Sequence, residues 1–220
     1  MDKSSWPAKT LLPVARPGFK FIALAGISAA VFGGIGWSWV AWLCLGAALF
    51  AVWFFRDPDR GIPNDANGLI SPADGKVIRI DKHFQSEYLA DPCIRISIFM
   101  NVFNVHVNRI PFSGAVEKVR YSPGRFINAS FDKASVHNER NALIIRTDTG
   151  ATYAVVQIAG LIARRIVNCV RESEAVRKGD RYGMIQFGSR LDLHLPENFE
   201  VAVHIGEKTR AGSTIIGYMK

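Results

Sequence analysis

Few residues in this 220-residue chain are of a kind that does chemistry, and they lie far apart. An aspartate stands in "SPADG" (Asp74), a histidine in "NVFNVHVNRIP" (His106) and another in "SVHNERN" (His137). Two Gly-Ser pairs occur, Gly188–Ser189 in "QFGSRLDLHLP" and Gly212–Ser213 in "KTRAGSTIIGYM". Serine, histidine and aspartate are the parts of a relay in which the imidazole takes the hydroxyl proton and the carboxylate orients the imidazole. No G-x-S-x-G elbow, H-E-x-x-H, Walker loop or G-x-G-x-x-G is present, so the usual hydrolase, zinc and nucleotide templates do not apply. Each residue alone also has a plain structural reading. "SPADG" is made of turn residues, a lone histidine among strand-like residues is usually a packed side chain, and a glycine in a strand pattern marks a bulge or close backbone approach. His83, His194, His204 and the Gly212–Ser213 turn read as structural.

Gly188–Ser189 keeps a second reading open. A carbonyl held in a strained turn can be attacked by the next residue's hydroxyl, which moves the acyl group from nitrogen to oxygen. A glycine at that carbonyl lets the turn form without a Cβ in the way. The peptide bond itself would then be the site of chemistry.

The elements that must hold these residues divide sharply. Residues 21–55 carry no charge. A helical span of a bilayer needs about 20 residues, so this run is too long for one crossing and slightly short for two. The break falls at "GGIGWSW", and we expect a helical hairpin that crosses twice or re-enters. Lys3, Lys9, Arg16 and Lys20 precede it, Arg56 and Arg60 follow it, and its turn has no charge. That pattern puts both ends on the cytoplasmic side of a cell membrane, with residues 1–20 as a basic cytoplasmic segment. The run is far longer than a signal-peptide core and no small-residue cleavage site closes it, so a permanent anchor is expected.

Beyond the Pro58 and Pro63 linker, short alternating runs read as strands over 76–80, 94–100, 115–121, 142–147, 153–160, 165–170, 182–187, 191–195 and 200–205. Helices are expected only around 84–91 and 125–135. Residues 56–220 are therefore expected to form a mainly β (α+β) domain of short antiparallel strands. The net charge of +8 suits nucleic acid or an anionic membrane surface. No zinc-finger spacing, RNP-like motif or aromatic-rich basic stripe supports nucleic acid. Cys44, Cys93 and Cys169 form no metal or disulfide framework, which suits a reducing compartment.

Taken in order, "FFRDPDR.IP", "GLISPADGKV", "SIFMNVFNVHVNRIPFSG", "NERN", "VVQIAGLIARRIV" and "KGDRYGMIQFGSRLDLHLP" resemble the short, membrane-anchored pyruvoyl-dependent phosphatidylserine decarboxylases over nearly the whole chain. The resemblance implies self-cleavage between Gly188 and Ser189, giving residues 1–188 (β chain) and 189–220 (α chain), which stay together as a heterodimer and allow a higher oligomer. Ser189 would become a covalent pyruvoyl group that forms a Schiff base with the substrate amine, the part pyridoxal phosphate plays elsewhere. No metal and no pyridoxal phosphate are expected. The substrate would be phosphatidylserine in the membrane, with an archaeal ether-linked serine lipid as the alternative. The resemblance also assigns Asp74 and His106 as the orienting acid and the base. Longer relatives carry H-x-x-H before the proline, and Arg109 occupies the second position here. His106 then serves both maturation and turnover, or His137 supplies the second imidazole.

Two other classes make different predictions. A membrane-tethered biotinyl- or lipoyl-like module is suggested by the turns "VRKGDRYGMI" and "GEKTRAGSTIIGYM", but it needs a modified lysine at a hairpin tip and none is present. A serine hydrolase using Ser189 would remain one intact chain.

Overall fold

The computed structural model describes residues 12–125, 127–130, 134–161, 165–186 and 189–219. The chain forms two compact units, Met1–Asp59 and Arg60–Lys220.

In the first unit, α1 (Phe19–Gly34) and α2 (Ser38–Phe54) form the expected hairpin. The turn falls at Ile35–Trp37, where Gly36 has φ +82°, a conformation that costs glycine nothing. Phe21 stacks on Phe55 at 5.4 Å and Phe32 on Trp37 at 5.8 Å, which marks the two ends of an antiparallel pair. At the open end, Ala15 N–H donates to the Phe55 carbonyl (2.7 Å) and Asp57 N–H to that of Pro13 (2.7 Å). Lys20 and Arg56 both sit at this end, over the rings of Phe21 and Trp53. Residues 16–34 are long and apolar enough to cross a membrane, and 38–54 form a shorter apolar helix. Leu24, Ile27, Trp39, Trp42, Leu43 and Leu49 point outward and are more than 60 % exposed, the reverse of a soluble core.

The second unit is antiparallel β. Its strands are β1 (Gly68–Ile70), β2 (Gly75–Phe84), β3 (Cys93–Met100), β4 (Val107–Arg109) and β5 (Gly114–Ser122). After a one-turn helix α3 (Ala134–His137) come β6 (Arg140–Arg146), β7 (Thr152–Ala159), β8 (Ile166–Asn168) and β9 (Ala175–Val176). The chain closes with β10 (Arg181–Ile185), β11 (Ser189–Pro196), β12 (Glu200–Val201), β13 (Lys208–Thr209) and β14 (Ile215–Tyr218). Eight strands form one sheet in the order β13-β2-β3-β11-β7-β6-β5-β9, and two smaller sheets run β4-β10-β8 and β1-β14-β12. One hydrophobic cluster draws side chains from all three, among them Leu69, Ile98, Leu143, Tyr182, Leu193 and Ile216. Successive strand residues face opposite ways, so Leu191, Leu193 and Leu195 enter this core while Arg190, Asp192 and His194 line the other face.

Three expectations change. Residues 84–91 are not a helix: Ser86 Oγ accepts the Tyr88 N–H (3.1 Å), and Pro92 disfavours helical geometry just before β3. Only Ala134–His137 of the second helix candidate is helical. Asn128 Oδ1 takes the Ser130 N–H (3.1 Å) and closes a turn instead, while 126 and 131–133 lie outside the described residues. The 200–205 run pairs only over Glu200–Val201, because Glu207 Oε2 accepts the His204 N–H (3.1 Å) and Gly206 turns with φ +97°.

Candidate active site

Ser189 opens β11, which has long partners on both sides, opposite Met100 on β3 and Ala159 on β7. Its side chain is fully buried, on the core face, and its hydroxyl donates to Met100 Sδ at 3.5 Å, a weak acceptor. Gly188 and Phe187 lie outside the described residues. Ala159 is itself clamped: its carbonyl accepts from Asn138 Nδ2 (2.7 Å) and its N–H donates to the Glu139 carbonyl (2.9 Å).

Asp74 stands in the Ser71–Gly75 turn and is nearly buried. Oδ1 accepts the Ala211 N–H (2.7 Å) and Oδ2 pairs with Arg60 (2.9 Å). The same turn is tied to the 209–214 segment by Gly212 N–H to the Ser71 carbonyl (2.8 Å) and Thr209 Oγ1 to that of Ala73 (3.1 Å). Gly212 has φ +80°, and a Cβ there would lie 2.8 Å from Arg109 Cδ, so glycine is required by both conformation and space. Arg109 is buried, donates from Nη1 to the Gly179 carbonyl (2.9 Å), and gives its backbone N–H to Pro72 (3.0 Å).

The His106 ring is fully buried, and Nδ1 lies 2.9 Å from the Asn104 carbonyl. A carbonyl can only accept, so Nδ1 is the donor in this contact. His137 is exposed at the end of α3. Of the residues singled out in the sequence, Asp74 and Arg109 meet through the 71–75 and 209–214 segments. The hydrogen bonds of Asp74 run to Arg60 and Ala211 rather than to an imidazole.

The surroundings of Ser189 include three buried amides that no motif announced. Asn141 Nδ2 donates to Gln157 Oε1 (3.4 Å), and Gln157 Nε2 donates to Asn108 Oδ1 (2.9 Å). Asn108 Nδ2 then reaches the Pro72 carbonyl (3.5 Å) and Met100 Sδ (3.8 Å), the sulfur that also receives the Ser189 hydroxyl. A Cβ on Gly183 would collide with the Val167 carbonyl and press on Gln157 Nε2 at 3.0 Å, so that glycine makes room for the ladder. Asn108, two residues after His106 in an alternating run, is the one member with a sequence signal. Arg60, read as a flanking charge, is the other residue that sequence reasoning passed over.

On the opposite face of β11, Arg190 and Asp192 form a bidentate pair (2.6 and 2.7 Å) with almost no exposure. His194 Nδ1 meets Ser86 Oγ at 2.6 Å, and burial, aided by the Arg95 and Arg190 charges and opposed by Asp192, lowers its pKa to about 4.

A family model described as phosphatidylserine decarboxylase matches residues 47–217. The chain belongs to the phosphatidylserine decarboxylase family. It is accordingly an enzyme, a decarboxylase. A phosphatidylserine decarboxylase proenzyme of Syntrophus aciditrophicus (strain SB) is 53% identical over 206 residues, covering 93% of this chain and 96% of that one. Proteins of the same name from Burkholderia pseudomallei (strain K96243) and Burkholderia ambifaria (strain MC40-6) are 50% and 49% identical, covering 92% and 94% of this chain and 94% and 96% of theirs.

Proposed function

We propose that this family member converts phosphatidylserine to phosphatidylethanolamine and CO2, using a pyruvoyl group made from its own Ser189. The observation that carries the reading is the 53% identity to a phosphatidylserine decarboxylase proenzyme across 93% of the chain together with the position of Ser189, buried at the head of the central strand. The site fits a small keto group. The Ser189 hydroxyl touches a thioether and lies beside neutral amides, so a keto group in its place would strand no charge.

Maturation is chemistry of the chain itself. Ser189 Oγ attacks the Gly188 carbonyl carbon, its proton passes to the base and then to the Ser189 nitrogen, and the C–N bond breaks to leave an ester. Loss of the Ser189 Cα proton expels the Gly188 carboxylate and leaves a dehydroalanine. Water then adds, ammonia leaves, and the keto group blocks the new N-terminus. Once formed, that group supplies an electron sink for the bond to the departing carboxylate.

His106 is the better base. A buried hydroxyl must meet its base in the interior, where the His106 ring lies, whereas His137 faces solvent. Asp74 supports the base as a positioning residue, since it ties the 71–75 turn to 209–214 and Pro72 of that turn holds Asn108 and Arg109. Strand β11 keeps both neighbours after the cut, which supports a product that remains a heterodimer of 1–188 and 189–220.

For localisation, we place the enzyme on the cytoplasmic face of a cell membrane, because the ends of the hairpin and the Lys20 and Arg56 charges share one end. Phe103 and Leu161 are 66 % and 63 % exposed, on the segments that leave β3 and β7 beside Ser189, and give the Ser189 end of the sheet an apolar lip. That suits a lipid substrate.

A gel of the purified protein tests the reading. Two fragments, 1–188 and 189–220, are expected from the wild type and one uncut chain from Ser189→Ala. An uncut wild type would refute the pyruvoyl assignment. Activity should survive EDTA, disappear on borohydride treatment with substrate, and be poor on free serine. Phosphatidylserine and an ether-linked serine lipid assayed side by side decide which lipid is preferred.

A further inference from the structure

We infer that the α1–α2 hairpin crosses the whole bilayer and returns, with its tip, residues 35–39, set in the headgroup layer of the far leaflet and Trp42 just beneath it. The inference rests on the membrane placement proposed above and goes beyond it, because a hairpin that turns back inside the bilayer would anchor the chain equally well.

Length separates the two arrangements. α1 has 16 residues and α2 has 17, so they are about 24 and 26 Å long. An arm that turns back at the bilayer centre has to cover about 15 Å, which takes roughly ten residues. Both arms are more than half as long again. The full hydrocarbon layer is about 30 Å thick, and the missing few ångströms are within what a bilayer yields by local thinning. Lys20 and Arg56 at the open end add reach, since long cationic side chains extend to the headgroups from slightly inside them. A hairpin lying flat in one interface is a third arrangement, and it needs a polar face on each helix. Over residues 21–55 the only hydroxyls are Ser28 and Ser38, and no side chain is charged.

The backbone at the tip needs water. α2 begins without a side-chain cap, and Trp37 accepts its first helical bond from the Ala41 N–H (3.0 Å). The N–H groups of Ser38, Trp39 and Val40 are therefore left without an acceptor among the described residues. On the other arm the carbonyls of Val31, Phe32 and Gly33 accept from Ile35, Trp37 and Gly36 at 2.9 to 3.2 Å. The carbonyls of Gly34, Ile35 and Gly36 are left without a donor among the described residues. Irregular backbone exposed to lipid is not found at the bilayer centre, where nothing satisfies such groups. In the headgroup layer water does.

The aromatic residues mark the same two levels. Trp37, Trp39 and Trp42 surround the tip and are exposed. An indole is mostly apolar with one N–H to satisfy, so tryptophans gather where hydrocarbon meets water. Trp53, whose ring lies 4.3 Å from the Arg56 guanidinium, marks the near interface in the same way. Most of the length of α2 separates the two groups. The tip also carries no lysine or arginine, the pattern of a segment that is translocated.

Thiol accessibility in bacterial spheroplasts expressing the full chain tests this. Ser38→Cys is treated with a membrane-impermeant maleimide, and the natural chain, with Cys44, Cys93 and Cys169, gives the background. Ser38→Cys should be labelled from outside at about ten times the background, and Arg56→Cys should reach that level only after the cells are opened. Ser38→Cys labelled only after opening, or only in detergent, overturns the inference. The first result means a hairpin flat on the inner face, and the second means one that turns back within the bilayer. A charge series checks the same point without a label. Ser38→Asp should leave the carbonate-resistant membrane fraction within about twofold of the natural chain, whereas Ile27→Asp, half-way along α1, should lower it about tenfold or more. Equal effects of the two substitutions overturn the inference as well. A natural chain that carbonate strips from the membrane, or Arg56→Cys labelled from outside, refutes the membrane placement instead, and these are separate observations.

Discussion

The two faces of β11 carry opposite chemistry. Its even residues Arg190, Asp192 and His194 are charged or ionisable, buried, and joined to partners at 2.6 to 2.7 Å. Its odd face begins with Ser189, whose hydroxyl meets a thioether at 3.5 Å, and continues with three leucines. The charged face looks like an active site and behaves as a frame. Strong, saturated pairs leave no capacity for a reaction, whereas Ser189, the serine proposed to react, sits among weak and neutral partners. A buried polar group that is fully partnered specifies structure, and one that is under-partnered is available for chemistry.

The largest expected effect breaks the neutral face. His106→Ala should slow cleavage by about 10²- to 10⁴-fold, since an unassisted serine hydroxyl is a weak nucleophile. Asp74→Asn should slow it less, because that residue positions others. Both are read as fragment against precursor over time. If His137→Ala stalls while His106→Ala matures at the wild-type rate, the base has been assigned to the wrong histidine.

Breaking the charged face should cost stability. Asp192→Asn leaves the Arg190 guanidinium buried without its counter-charge, which typically costs about 3–5 kcal/mol. Denaturant melts in the Ser189→Ala background measure this, and a double Arg190→Met, Asp192→Leu variant should recover much of the loss. A fall in cleavage rate without a fall in stability would contradict the division between the faces.

His194 supplies a pH test of the same frame. Its folded pKa of about 4 lies below the ordinary 6.5, so the unfolded chain binds the proton more readily. Stability from this group is therefore full above about pH 6.5 and falls as pH drops toward about 4, by an amount on the order of a few kcal/mol. His194→Gln should flatten that acid limb in a Tm series between those values. An unchanged slope would remove His194 as its source.

The smallest effect concerns the lip. Phe103→Ser should lower activity on phosphatidylserine vesicles by roughly fivefold, the scale of one partly buried aromatic side chain, and leave a short-chain soluble analogue nearly unaffected. Equal losses on both substrates would place Phe103 in the reaction rather than at the membrane.

Much of this was legible in the sequence, for physical reasons that differ by region. The hairpin showed itself because 35 uncharged residues and a Gly-rich break admit few other structures. Strands such as β3 and β7 were visible from their apolar, β-branched runs, and their ends moved by no more than one residue. Strands of two or three residues, β4, β9 and β13, carry too little pattern to be seen, and they exist because longer neighbours hold them. Ser189 was singled out by its motif, and the fold places it buried at the start of β11. The amide ladder was not singled out, because Asn108, Asn141 and Gln157 come from three strands of two different sheets and meet only in the folded domain. The Arg60–Asp74 pair joins a linker to a turn and has no local signature either.

The central claim, that the chemistry lies at the Gly188–Ser189 bond, is tested most directly by intact-mass spectrometry of the purified wild-type chain. The account predicts two species, residues 1–188 with an ordinary carboxyl terminus and residues 189–220 lighter by one ammonia than the plain peptide. A single intact 220-residue chain, or a 189–220 fragment that still begins with an unmodified serine, would contradict it.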